Sequence, residues 1–172
     1  MALLPLAFVL YLILHDRRRL RTAGPYVGFG LMLLLMSGVL YWNFVNDWIS
    51  FKHTAAIGAD RRWNPVRAVD HFFVFLGGQL GAASPLLFFF FVAGVYWCGR
   101  QVKASRDAAL LFLSSMVVFG FYGLVAFTRK SEPNWPACAY LSAAPALGWW
   151  WVSRERPRWL ARTLAAACIL GA

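Results

Sequence analysis

The sequence predicts an all-α protein: a polytopic bundle of transmembrane helices with one short helix in the outer interface of the membrane. Apolar residues make up 60% of the 172-residue chain. Only 14% of the residues are charged, against about 25% in a soluble domain. The apolar residues also come in blocks long enough to approach or cross a bilayer. We therefore expect a single transmembrane domain over residues 1–172.

Four apolar blocks are predicted to be complete or nearly complete spans, at 25–44, 72–98, 108–127 and 137–152. Two terminal stretches, 2–14 and 163–172, are shorter than the roughly 20 residues that a span needs. The first does not fit a signal peptide, because its basic cluster follows the apolar run. We expect both stretches to be truncated spans, and the chain to be a piece of a longer membrane protein.

The distribution of cations predicts the orientation. The loops at 16–21, 100–106 and 154–162 hold eleven Lys and Arg residues, and those at 46–70 and 128–134 hold six. The positive-inside rule places the first set in the cytoplasm and the second outside. The net charge of +10 does not indicate nucleic-acid binding, because its cations sit in short clusters between apolar blocks.

The first outer loop contains the stretch "NDWISFKHTAAIG". Asn46 or Asp47 is suited to cap the start of a helix, and Gly58 is suited to end it. We expect a short helix in the outer interface that places Lys52 and His53 near the lipid headgroups.

The next helix is predicted to begin at "NPVRAVDHFF", with Asn64 as its N-cap and Pro65 in its first turn. If it continues to Gly99, it is about 50 Å long. That exceeds the roughly 30 Å hydrocarbon core, so its first turns should protrude outward. A kink is expected at Pro85, which has no N–H to donate.

The stretch "GGQLGAASP" lies within this helix. Gly77 and Gly81 form a GxxxG pair that permits close helix packing. Gln79 carries a primary amide that needs a partner at membrane depth. Two roles stay open for it: a packing hydrogen bond, or a position lining a cavity open to the outer leaflet.

The outer stretch "RKSEPNWPACAY" places a polar cluster between two apolar blocks. Pro133 and Pro136 stiffen the turn. One interpretation is an interfacial loop with a tryptophan anchor and a solvated pair of Lys130 and Glu132. The other is a polar lid over an intramembrane site, with Glu132 and Asn134 held in place and Lys130 facing an anionic headgroup.

Metal and cofactor sites are not expected. His53 and His71 do not have the spacing of a metal site. The sequence also has no GxGxxG motif, P-loop or nucleophile elbow. An odd number of cysteines, three, argues against a disulfide framework.

Three stretches carry a resemblance to a known family: "YWNFVNDWISFKHTAAIG", "FFVFLGGQLGAASPLLFF" and "RKSEPNWPACAY". In this order and spacing they resemble the later transmembrane part of bacterial GT-C class glycosyltransferases of the protein-mannosyltransferase type. This group includes the lipid A aminoarabinose transferases. The resemblance covers residues 25–152.

The resemblance implies an enzyme of the bacterial inner membrane that moves a sugar from a polyprenyl-phosphate donor to an acceptor at the periplasmic face. The catalytic carboxylate of such enzymes lies in the first outer loop, which the sequence before Leu14 does not contain. The chain alone is therefore expected to be inactive, and no residue is assigned as catalytic. The residues expected to bind substrate are Lys52, His53, Gln79, Lys130, Glu132 and Asn134.

Two other functions stay open. A non-enzymatic membrane subunit or assembly partner explains the spans, but it leaves the three outer stretches unexplained. A transporter fragment is disfavoured because the spans hold few ionisable residues.

Overall fold

The computed structural model describes residues 3–59, 65–153 and 157–170, and every regular element in these ranges is helical. The all-α fold class is therefore confirmed. Short 3₁₀ helices cover Arg17–Arg21 and Trp135–Ala139. The α-helices are α1 (Leu3–His15), α2 (Ala23–Val45), α3 (Ile49–Ala59), α4 (Pro65–Ala82), α5 (Pro85–Arg100), α6 (Arg106–Ala126), α7 (Tyr140–Val152) and α8 (Arg158–Leu170).

Two helices in the described ranges, α2 and α6, are long and apolar enough to cross a membrane. Helices α4 and α5 meet the same criterion only as one bent pair, which gives up to three such spans. The block predicted at 137–152 corresponds to the 13-residue α7 and the end of the preceding 3₁₀ helix.

The bend expected at Pro85 is present, but it is a full break and not a kink in one helix up to Gly99, because α4 and α5 meet at an angle of 101°. Ser84 separates them with a left-handed φ of 57°, and its Oγ accepts a hydrogen bond from the Leu87 N–H at 3.4 Å. Pro85 then takes the first helical position, where its missing N–H costs nothing. Ser84 and Pro85 thus start a new helix, and the expected protrusion of one straight 50 Å helix does not hold. The predicted cap at Asn64 lies outside the described residues.

The core of the bundle lies between α5, α6 and α7, with α1 and α8 packed on either side. Small side chains permit the close approach of these helices. Ala108, Ala143 and Ala146 are fully buried. At Gly94 in α5, a Cβ atom would lie 2.6 Å from the backbone N and Cα of Leu147 in α7.

The packing glycine of α4 is Gly78, not the predicted pair. Neither Gly77 nor Gly81 has a described neighbour within 4 Å of the position that a Cβ atom would take. A Cβ atom on Gly78 would lie 2.7 Å from Cγ of Pro133. Because Gly78 has no side chain, α4 can lie in contact with the 128–134 segment, which is the chain between α6 and the following 3₁₀ helix.

The turn between α2 and α3 differs from the predicted N-cap. The Trp48 N–H donates to the Asn43 carbonyl oxygen at 2.7 Å, and Asp47 has a φ of 53°. This is the hydrogen bond of a Schellman motif, in which the left-handed residue is most often glycine. The Asn46 side chain donates to the Trp42 carbonyl oxygen at 2.8 Å, so Asn46 caps the end of α2.

One ionic contact joins two of the arginine-rich loops. Asp16 is buried, and its carboxylate lies 2.9 Å from Nε of Arg19 and 3.3 Å from Nη1 of Arg106. The loops at 16–21 and 100–106 therefore lie at the same end of the bundle, as the predicted orientation requires.

Candidate functional site

A single buried amide connects three parts of the fold. Gln79 in α4 is only 1% exposed. Its Nε2 donates to the Pro133 carbonyl oxygen at 3.0 Å, and the Tyr140 hydroxyl donates to its Oε1 at 3.1 Å. The stretches "GGQLGAASP" and "RKSEPNWPACAY", far apart in sequence, therefore meet at this side chain.

Gln79 also lines a cavity of about 380 Å³ between α4, α5, α6 and α7. The side chain thus makes a packing hydrogen bond and also lines a cavity. That this cavity opens to the outer leaflet stays a prediction. The cavity wall is otherwise almost wholly apolar and rich in aromatic rings, and it is formed by Phe75, Leu76, Phe88, Phe91, Val92, Val95, Tyr96, Phe112, Met116, Phe119 and Ala143.

Tyr140 is held by two aromatic neighbours. Its ring centroid lies 5.3 Å from that of Phe91 in α5 and 5.3 Å from that of Phe119 in α6. Aromatic pairs at this separation add to the energy of burial. The ring therefore aims its hydroxyl at Gln79. Sequence reasoning did not single out Tyr140, although it is the last residue of "RKSEPNWPACAY".

The 128–134 segment exposes alternate side chains. Lys130, Glu132 and Asn134 are exposed, whereas Arg129 and Pro133 are half-buried. Ser131 is 1% exposed. The structure thus places three of the predicted ligands on the outward side of the segment. The inward side carries residues that the sequence analysis did not assign to a site.

Both prolines of "RKSEPNWPACAY" are packed into the structure. Pro133 contacts Gly78, and Pro136 is buried. The ring of Trp135 lies 5.9 Å from that of Tyr122 in α6, centroid to centroid. The segment is therefore fixed to α4 at one point and, through the 3₁₀ helix that follows it, to α6 at another.

The remaining predicted ligands, Lys52 and His53, lie elsewhere. Both are exposed on α3, which packs against α2. The described structure therefore brings Gln79 next to the 128–134 segment but does not bring α3 to the same place. Within the described ranges, no three His, Cys, Asp or Glu residues group closely enough to hold a metal ion.

Comparison with known proteins gives one distant similarity. No family model and no solved structure matches the chain. Over 127 residues the chain is 29% identical to the lipid A galacturonosyltransferase RgtD of Rhizobium johnstonii, a match that covers 73% of this chain and 26% of that protein. The match thus takes in only about a quarter of the relative's length, and the chain is similar to one part of a glycosyltransferase.

Proposed function

We propose that the chain is part of an integral-membrane glycosyltransferase. It would move a sugar from a polyprenyl-phosphate donor to an acceptor at the periplasmic face of the bacterial inner membrane. The observation that carries the proposal is the buried Gln79 amide, which joins two of the three family-like stretches beside an apolar cavity. The similarity to a lipid A galacturonosyltransferase supports a sugar-transfer reaction and favours a lipid acceptor.

The cavity and the 128–134 segment suit the two halves of such a donor. A polyprenyl phosphate has a long apolar chain and an anionic head. The aromatic and aliphatic cavity wall offers the apolar chain a dry surface. The exposed side chains of Lys130, Glu132 and Asn134 would bind the head and the sugar from the outer side. Lys52 and His53 on α3 would meet the same headgroup layer.

The catalytic carboxylate would come from another part of the complete enzyme. Asp47 belongs to the turn that ends α2, and Glu132 is exposed on the 128–134 segment. Neither is assigned as the base. The role of this chain is to hold the donor and to stabilise charge that develops on the leaving phosphate.

The test is a transfer assay with the product of the complete reading frame, reconstituted with a radiolabelled sugar on polyprenyl phosphate and a lipid acceptor. We expect labelled lipid from the complete protein and none from the purified 172-residue chain. Transfer by the short chain would show that its own carboxylates suffice. No transfer by the complete protein from any polyprenyl-phosphate donor would leave a non-enzymatic membrane subunit as the better account.

In the complete enzyme, Lys130→Ala is expected to lower kcat/KM by about tenfold to a hundredfold. A hydrogen bond to a charged group is worth about 1.5–3 kcal/mol, and a loss of about 1.4 kcal/mol is tenfold in rate. Lys103→Ala is the control, because Lys103 is an exposed cation in the loop between α5 and α6, at the other end of the bundle. Equal changes at both positions would mean that Lys130 acts only through net charge.

The proposed sidedness predicts the labelling of single cysteines by an impermeant thiol reagent in intact spheroplasts. The native cysteines Cys98, Cys138 and Cys168 are first changed to alanine. Ser50→Cys, on the exposed surface of α3, should then be labelled. Ala104→Cys, exposed between α5 and α6, should react only after the membrane is opened. The reverse pattern would invert the topology.

A further inference from the structure

The inward side of the 128–134 segment lies along α4. At one end, the ring of Phe127 stacks on that of Phe72 with centroids 4.7 Å apart. At the other end, the Pro133 carbonyl oxygen accepts a hydrogen bond from Gln79. The two anchor points on α4 are seven residues apart, or about 10 Å along the helix. Arg129 lies between these two anchors in the chain and is therefore next to α4.

The face of α4 that is buried carries a third polar group. His71, Phe75 and Gln79 follow each other at intervals of four residues, so they lie on one side of the helix. Phe75 and Gln79 are buried, and His71 is half-buried. Arg129 and Ser131 lie on the half-buried or buried side of the neighbouring segment. The segment and this face of α4 lie next to each other, and each carries polar side chains that are buried or half-buried.

Each of these three side chains has a buried polar atom without a hydrogen-bond partner among the described residues: Nη1 of Arg129, Oγ of Ser131 and Nδ1 of His71. Buried polar atoms in native proteins are nearly always paired, so these three indicate a partner beyond the described residues. No described carboxylate forms an ion pair with Arg129.

The chemistry of the three groups defines that partner. A guanidinium is a permanent cation with donors only, and a hydroxyl and an imidazole N–H also donate. Guanidinium groups bind carboxylate and phosphate through charge-assisted hydrogen bonds. A neutral or cationic group would leave the guanidinium without a counter-charge, whereas an oxyanion accepts from all three donors.

We infer that Arg129, Ser131 and His71 form a binding site for an oxyanion, between α4 and the inward side of the 128–134 segment. The inference deepens the proposed function, because a glycosyl donor offers two such groups: its phosphate, and the carboxylate of a uronic acid sugar. The site lies on the opposite side of the segment from Lys130. It therefore adds Arg129, on the inward side, to the outward-facing Lys130 as a second cation of this region.

The test measures binding to the purified 172-residue chain in detergent micelles by titration calorimetry, so it does not depend on turnover. The phosphate arm compares farnesyl phosphate with farnesol, and the carboxylate arm compares galacturonate with galactose. We expect the oxyanion in at least one arm to bind at least tenfold more tightly than its neutral partner. Arg129→Gln should remove that preference. Arg18→Gln, the same change at an exposed arginine at the other end of the bundle, should alter it less than twofold.

Thermal unfolding separates a binding role from a structural one. Without ligand, Arg129→Gln should melt at the wild-type temperature or above it, because it removes a half-buried cation whose buried Nη1 has no described partner. The stabilisation that the oxyanion gives to the wild type should be absent in the variant.

A preference confined to farnesyl phosphate assigns the site to the phosphate, and one confined to galacturonate assigns it to the sugar. No preference in either arm, or equal losses in Arg129→Gln and Arg18→Gln, would overturn the inference. If the 172-residue chain binds the oxyanion but the complete protein transfers no sugar from a polyprenyl-phosphate donor, the result would instead count against the proposed function.

Discussion

Gly94→Ala is expected to destabilise the bundle by about 1–3 kcal/mol, the usual cost of overpacking a well-packed core. The added Cβ atom would lie 2.6 Å from the backbone N and Cα of Leu147 and 2.9 Å from the carbonyl carbon of Ala146. Backbone atoms cannot rotate away as the end of a side chain can. Helices α5 and α7 must therefore separate, and they form the most extensive helix pair in the described structure. The measurement is the free energy of unfolding of the purified chain, by SDS titration in detergent micelles.

Gly120→Ala is the matched control. Gly120 lies in α6 with no described atom within 4 Å of a Cβ position. Alanine is favoured over glycine within a helix by about 1 kcal/mol, so this variant should be as stable as the wild type or more so. A second variant tests the cause: Leu147→Ala should not rescue Gly94→Ala, because the clash involves the backbone. Full rescue would show that the contact is with the side chain.

The helices could largely be predicted from the sequence, because each apolar block is a property of neighbouring residues. The ends of helices α2 and α6 lie within two residues of the ends of the blocks at 25–44 and 108–127. The position of the bend was predicted at Pro85, but the complete break at Ser84 was not, although its local signal is present. A serine before a proline is a good N-cap followed by a favoured first helical residue. The apolar run on both sides favoured one continuous helix with a kink.

The site was harder to predict, because its contacts join residues that are far apart in the chain. The need of Gln79 for a partner follows from its amide. The partner itself is the backbone carbonyl of Pro133, and no side-chain pattern marks a carbonyl. In the stretch "RKSEP", alternate side chains lie on opposite sides of the segment, so Arg129 and Ser131 are on one side and Lys130 is on the other. Which set faces the bundle depends on the packing against α4, which periodicity does not supply.

Gln79→Leu is expected to have the largest effect on both stability and activity. Leucine fits the volume and the apolar cavity, but it leaves the Pro133 carbonyl oxygen and the Tyr140 hydroxyl without their partner. Each buried polar group left unpaired costs about 1–3 kcal/mol. The variant should therefore lose about 2–6 kcal/mol of unfolding free energy. Because the 128–134 segment loses its hydrogen bond to α4 and is positioned less precisely, sugar transfer by the complete enzyme should fall by about tenfold to a hundredfold. Gln101→Leu, the same change in the loop between α5 and α6, is the control for both measurements.

A double-mutant cycle with Tyr140→Phe identifies which contact carries the effect. Tyr140→Phe keeps the ring between Phe91 and Phe119 and removes only the hydroxyl that donates to Gln79. Alone it should cost about 1 kcal/mol. Added to Gln79→Leu it should cost nothing further, or regain part of the loss, because the hydroxyl already lacks its acceptor. The remainder of the Gln79 effect then belongs to the Pro133 carbonyl, and that part should account for the loss of transfer. Additive costs in the cycle would show that Gln79 and Tyr140 act independently, and an unchanged transfer rate in Gln79→Leu would separate the amide from the binding of substrate.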